Sequence, residues 1–512
     1  MTDGLYSQLF APHQCSEGTF LDCGSRGLVT YRAFLELASR QAKVLRDHGV
    51  ASGDRVALQA QKSVEALAVY AACAQIGAVL LPLNTAYTPD EVAYFLKDAE
   101  PRLLVCDPDA ERALTPTAQT VGAATLTLDA DGRGTFADAA QAARPCADIV
   151  PRAEDDLAAI LYTSGTTGRS KGAMMTNRNL VSNARTLTDL WAFTGDDTLI
   201  HALPIFHTHG LFVAVNVALC AGARLRFMQK FDLDAILGAL PQSTAMMGVP
   251  TFYSRLLDDP RLDRSRTADM RLFISGSAPL LAETHASFAK RTGHQILERY
   301  GMTETNMITS NPYKGTRVAG TVGMPLPGVE VRITDPATGA PLETGERGAI
   351  EVRGPNVFKG YWKMPEKTRE EFREDGFFVT GDLGAFDETG YLSIVGRAKD
   401  LVISGGYNIY PKEIELVLDT MPDVLESAVI GVPHPDLGEG VVAVLARQAD
   451  HNPDVDEIRA RAAGALAGFK RPRRYVLVDA LPRNTMGKVQ KAALREMFAD
   501  AFADVHAGPD AD

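Results

Sequence analysis

The residues best suited to chemistry stand in ten consecutive positions, Thr163 to Gly172, with the sequence TSGTTGRSKG. Three glycines, five hydroxyl side chains and Lys171 share this stretch. Glycine lets successive backbone N–H groups turn inward, hydroxyls donate further hydrogen bonds, and Lys171 adds a positive charge. That combination suits a polyphosphate. It does not match the Walker A pattern G-x-x-x-x-G-K-[ST]. By composition alone it is also a flexible surface turn.

Other chemistry-bearing residues lie farther along. Glu304, in ERYGMTET (298–305), is a hard oxygen donor suited to Mg²⁺ with few protein contacts; without a ligand it is a solvated carboxylate at a helix start. Tyr300 presents a flat face to a base or packs in the core. Asp382, in TGD (380–382), accepts two donors at once, although Thr-Gly-Asp alone is an ordinary turn. Lys488 ends the loop NTMGK, where a lone lysine is usually a surface residue. His207 and His209, in IFHTHG, invite a metal pair, but no third ligand is evident. They are also plain pocket or core histidines.

Helical periods alternate with short β-branched runs through most of the chain. The spacing predicts a helix over Tyr31–His48, a strand at Arg55–Gln59, a helix over Ser63–Ile76 and a strand at Val79–Leu83. A strand at Leu157–Tyr162 precedes the glycine-rich loop, and a helix starts near Thr176. Such alternation predicts α/β layers with mostly parallel sheets. From about Val318 short strands dominate, as in GVEVRITDP and GAIEVRGP, which predicts a small β-rich subdomain over about 318–398. A boundary is expected in GRAKD, giving an N-terminal domain over 1–398 and a compact α+β C-terminal domain over 399–512.

Composition narrows the function classes. The net charge of −12 argues against nucleic acid and anionic lipid as partners. Six cysteines, none at a C-x-x-C spacing, fit free thiols of a reducing compartment. Two stretches lack Asp, Glu, Lys and Arg. Ala66–Pro89 reads as a helix followed by a strand, and Thr198–Ala223 is interrupted by Pro204 and three histidines, so neither is expected to span a membrane. The start, MTDGLYSQLF, has no signal-peptide pattern, and the expected location is the cytoplasm.

TSGTTGRSKG resembles the signature phosphate loop of the adenylate-forming superfamily, which includes acyl-CoA synthetases, luciferases and adenylation domains. IFHTHG, ISGSAPL (274–280), ERYGMTET, TGD, GRAKDLVISGGYNIYPKEIE (396–415) and PRNTMGK (482–488) resemble its other motifs, in the same order. The resemblance implies an enzyme that joins a small carboxylic acid to coenzyme A, using ATP and Mg²⁺ through an acyl-adenylate. It implies a nucleotide site built from Thr163, Ser164, Gly165, Thr166, Thr167, Gly168, Lys171, Gly276, Ser277, Ala278, Glu298, Arg299, Tyr300, Gly301, Met302, Thr303, Asp382, Arg397 and Lys488. Glu304 and Thr166 would serve Mg²⁺, and Thr303 the phosphates. Lys488 would neutralise charge as the carboxylate attacks the α-phosphate. A hinge near Lys399 would let the mobile C-terminal domain bring Ser404, Gly405 and Gly406 to the coenzyme A tunnel. Lys488 acetylation by a lysine acetyltransferase, an off-switch in several such enzymes, would remove its charge.

The wording around IFHTHGLFVA, GVPTFYSRLL and RYGMTETNMITSNPY is most similar to malonyl-CoA synthetases. The acyl site is then expected at His207, Arg255, Ser277, Gly301 and Met302, with Gly301 leaving room where acetyl-CoA synthetases carry tryptophan. Arg255 would grip the second carboxylate of malonate or methylmalonate bidentately, or else face solvent from its helix. Ligation of another short- or medium-chain acid is the alternative.

Overall fold

The computed structural model describes residues 4–163, 170–405, 407–448, 451, 453–484 and 487–503. The chain divides into two compact units. One comprises Met1–Val331 and Val352–Phe378; the other comprises Arg332–Glu351 and Val379–Asp512. The β-rich segment expected to end the N-terminal domain therefore contributes most of its later strands to the second unit.

The first unit is built on two sheets. In the six-stranded one, the order is Ala124–Thr127, Leu103–Cys106, Arg55–Gln59, Val79–Pro82, Leu157–Thr163 and Lys171–Thr176. All neighbours are parallel except the last pair, an antiparallel hairpin in which Thr163 stands opposite Lys171. The glycine-rich segment thus connects two strands of a hairpin, and the helix expected near Thr176 begins directly after the second strand. The helix follows one strand later, at Asn177–Leu190, where Thr176 accepts from Asn179 N in a capping box.

The nine-stranded sheet has a parallel centre and antiparallel edges. Its central strands are Leu297–Met302, Leu272–Ser275, Ala245–Gly248, Thr198–His201 and Arg224–Phe227. Ile200, Met246 and Phe273 from these strands, with Tyr253 and Phe288, belong to one core cluster. Helices pack on these sheets for local reasons. Tyr31–Asp47 begins where Thr30 accepts from Ala33 N, and it buries Phe34, Leu35, Ala38, Ala42 and Leu45 along one face. Val64–Ile76 is buried on all sides and stops at Gly77, with φ 75°. The charge-free stretches are therefore core, and no helix among the described residues is long and apolar enough to cross a membrane.

A four-stranded sheet follows the order Glu330–Thr334, Gly348–Arg353, Phe378–Phe386 and Leu392–Arg397. The second unit also holds a sheet of Tyr407–Ile409, Val402–Ser404, Gly438–Arg447, Val424–His434 and Arg474–Val478. Helices Pro411–Leu418 and Val455–Ala465 cover one core cluster there.

Candidate functional site

In the first unit, the strand ends carry a polar cluster. Arg299, inside the strand Leu297–Met302, is 4% exposed. Its Nε and Nη2 have no hydrogen-bond partner among the described residues. A Cβ on Gly276 would lie 2.3 Å from the guanidinium carbon, so glycine is what admits the arginine beside the end of Leu272–Ser275. Burial pushes the Arg299 pKa down to about 9, which leaves a cation at neutral pH.

The His207–His209 segment faces this charge. Burial and the Arg299 charge hold His207 down to about 4 and His209 well below its ordinary value, so both imidazoles are neutral. His209 Nδ1 lies 3.2 Å from Ser277 Oγ, while its Nε2 has no partner among the described residues. His209 N donates to His207 Nδ1 at 3.2 Å. Ser277 takes φ 73°, a left-handed conformation that costs a non-glycine residue energy and that clusters at functional sites. Thr208 Oγ1 donates to Asn306 Oδ1 at 2.7 Å. Among the described residues, buried groups on Arg299, His209, Ser275 and Asn306 without hydrogen-bond partners gather unmet polar demand at these strand ends.

Two expected acyl-site residues need correction. Arg255 lies on the exposed face of helix Pro250–Leu257, its guanidinium 5.4 Å over the Phe231 ring, because Tyr253 and Leu256 turn the opposite face inward. It does not line the buried cluster; Arg299 does. Gly301 does not make room for an acyl group, since a Cβ there would meet Asn306 O at 1.8 Å. It is glycine because the strand closes on its neighbour at an irregularity between Tyr300 and Gly301. Met302, Thr303 and Ala278 are partly exposed beside these strand ends, and Tyr300 is 8% exposed.

Glu304 occupies the hairpin turn between Leu297–Met302 and Asn306–Ser310, not a helix start, and is buried. Tyr361 joins it to the phosphate-loop lysine. The Tyr361 hydroxyl is 3.1 Å from Glu304 Oε1 and 2.6 Å from Glu371 Oε2, and Lys171 Nζ lies 2.8 Å from Glu371 Oε1. Lys171 also sits 4.2 Å over the Tyr361 ring. A buried carboxylate that accepts from the Tyr361 hydroxyl fits an ion such as Mg²⁺, which takes one or two carboxylates alongside phosphate oxygens. Sequence reasoning missed Tyr361 and Glu371, whose partners lie 57 and 200 positions away. Glu298 is buried, accepts from Gly320 N at 3.2 Å, and is pushed up to about 8 by burial. Ser164, Gly165, Thr166, Thr167, Gly168 and Gly406 lie outside the described residues.

In the second unit, Asp382 and Arg397 are register partners on antiparallel strands, with Arg397 Nε 2.7 Å from Asp382 Oδ1. Asp382 is buried. Lys399 is lowered to about 8, chiefly by burial; Asp400 opposes the fall, while the charges of Arg397, Lys488 and Arg495 add to it. Lys488 and Asn484 exchange bonds, Lys488 N to Asn484 Oδ1 and Asn484 N to Lys488 O, both 2.9 Å. Ser404 ends a strand, and Gly405, with φ 57°, donates its N–H to Leu437 O at 2.9 Å.

The AMP-binding enzyme family matches residues 11–362, and that family's C-terminal domain matches residues 413–488. The chain belongs to the AMP-binding enzyme family. Within it, a malonate–CoA ligase of Arabidopsis thaliana is 36% identical, over 89% of this chain and 80% of its own. A feruloyl-CoA synthase of Amycolatopsis is 36% identical, over 92% and 94%. The ATP-bound crystal structure of MatB from Rhodopseudomonas palustris is 56% identical, covers 98% of this chain and 100% of its own, and superposes with a TM-score of 0.96.

Proposed function

We propose that this enzyme is a malonate–CoA ligase: malonate, ATP and coenzyme A give malonyl-CoA, AMP and diphosphate through a malonyl-adenylate. The observation that carries the substrate is the Arg299 guanidinium, buried and cationic, with two nitrogens that have no hydrogen-bond partner among the described residues. A buried charge without a counter-ion is unfavourable. The distal carboxylate of malonate supplies that counter-ion, with His207, His209 and Ser277 beside it, and the proximal carboxylate is left to attack the α-phosphorus. Methylmalonate adds one methyl group and is expected as a poorer or equal substrate. An acid with no second carboxylate leaves Arg299 unpaired. The kinship with malonate–CoA ligases and MatB supports the same assignment.

In the rest of the cycle, the Thr163–Gly172 segment and Lys171 hold the phosphates, and Glu304, which accepts from Tyr361, would hold Mg²⁺ to neutralise phosphate charge. Asp382 and Arg397 take the ribose, and Lys488 cancels charge on the α-phosphate. No protein nucleophile is needed, because catalysis is positioning and charge neutralisation. The C-terminal domain, hinged near Lys399, would present Ser404, Gly405 and Gly406 to coenzyme A. The free cysteines fit a cytoplasmic enzyme, and acetylation at Lys488 would silence the first step. Steady-state kcat/KM over a panel of acids tests the substrate. Malonate is expected to lead; acetate or octanoate ahead of malonate by about tenfold overturns the assignment.

A further inference from the structure

Lys62 has no part in the chemistry described so far. It stands after the strand Arg55–Gln59, just ahead of Ser63, which caps Val64–Ile76, and it is 7% exposed. Its ammonium crosses to the nine-stranded sheet. Nζ lies 2.6 Å from His201 Nδ1, 2.9 Å from His201 O and 2.9 Å from Leu203 O. It also lies 4.4 Å over the Phe227 ring.

On its other side, His201 Nε2 is 2.9 Å from Gly210 O. A carbonyl only accepts, so Nε2 carries the imidazole proton and Nδ1 is a bare acceptor. Burial, with the Lys62 charge, lowers His201 to about 3 and keeps it neutral. Burial pulls the Lys62 pKa well below the ordinary lysine value, and three acceptors converge on its Nζ, matching and favouring the three N–H bonds of the ammonium form. These bonds hold both ends of the segment from His201 to Gly210. Those ends touch: a Cβ on Gly210 would lie 2.0 Å from Pro204 O. Between them the backbone turns irregularly through His207 and enters the helical segment His209–Val215 at His209.

We propose that Lys62 is a positioning residue for the acyl site: through His201 it sets the backbone that presents His207 and His209 to the substrate's distal carboxylate beside Arg299. This role rests on the malonate assignment. A lysine that merely joined two sheets would contribute stability without affecting which acid is used.

The test is steady-state kinetics of the full-length enzyme carrying Lys62→Met, which keeps the length and removes the charge. The KM for malonate is expected to rise about tenfold, with the KM for ATP and the kcat/KM for acetate within about twofold of wild type. His201→Gln keeps a donor for Gly210 O but loses the imidazole acceptor for Lys62, so a smaller shift in the same direction is expected. It carries the same criterion if Lys62→Met is not recovered folded. A lowered Tm with an unchanged malonate KM makes Lys62 a staple only and overturns the proposal, as does an equal loss on malonate and acetate. Wild-type enzyme that shows no preference for malonate refutes the substrate assignment instead, which separates the two failures.

Discussion

Replacing Arg299 by methionine removes a buried charge while keeping most of the volume. On the proposed assignment the guanidinium, 4% exposed, would meet the distal carboxylate through nitrogens that have no hydrogen-bond partner among the described residues. Truncating one member of a buried, hydrogen-bonded charge pair costs about 2–5 kcal/mol, because the remaining charge is stranded. That corresponds to a loss of roughly 30- to 5,000-fold in kcat/KM for malonate. Acetate has no distal carboxylate, so its kcat/KM should move by less than about tenfold. The assay is diphosphate release with saturating ATP and coenzyme A, run with malonate and acetate on wild type and variant. The malonate-to-acetate ratio is expected to collapse by at least about 30-fold. Equal losses on the two acids would show that Arg299 does not contact the distal carboxylate, and the substrate reasoning would fail with it.

Arg255→Ala, on the exposed stack with Phe231, should change malonate kcat/KM by less than about twofold, an exposed cation–π contact being worth only about 0.5–1 kcal/mol; a large selective loss would return Arg255 to the acyl site. Tyr361→Phe removes the hydroxyl beside Glu304 and Glu371, so a titration of activity against Mg²⁺ should shift to higher concentration with about a tenfold lower kcat/KM for ATP, and an unchanged Mg²⁺ curve would refute the link. Glu298 binds its proton more tightly when folded than when unfolded, so stability should fall as pH rises from about 4.5 to about 8 and level off above that. Glu298→Gln should flatten that fall, roughly 1.4 kcal/mol per pH unit at most, and parallel melting curves for the two proteins would contradict it. Lys488→Ala should block adenylate formation but spare thioester formation from supplied malonyl-adenylate; loss of both steps would remove its assigned role.

The elements were legible where burial follows a simple period. Tyr31–Asp47 and Arg55–Gln59 lie within a residue of expectation. Arg255 was misplaced for want of the same periodicity, since Tyr253 and Leu256 occupy the inward face of that helix and leave the arginine outside. Arg299 carried a signal of its own: charge in a strand whose neighbours Leu297 and Tyr300 are both buried. The Gly301 restriction arises from a backbone crossing that no local pattern records. Tyr361, Glu371 and Lys62 meet partners tens to hundreds of residues away, and only the assembled sheets place them.

The most direct test of adenylate chemistry follows oxygen. With malonate labelled by ¹⁸O in its carboxylates, attack on the α-phosphorus followed by thioester formation leaves one labelled oxygen in AMP. Mass spectrometry should find that label in AMP alongside malonyl-CoA and unlabelled diphosphate. Unlabelled AMP, or ADP with labelled phosphate, would contradict the account.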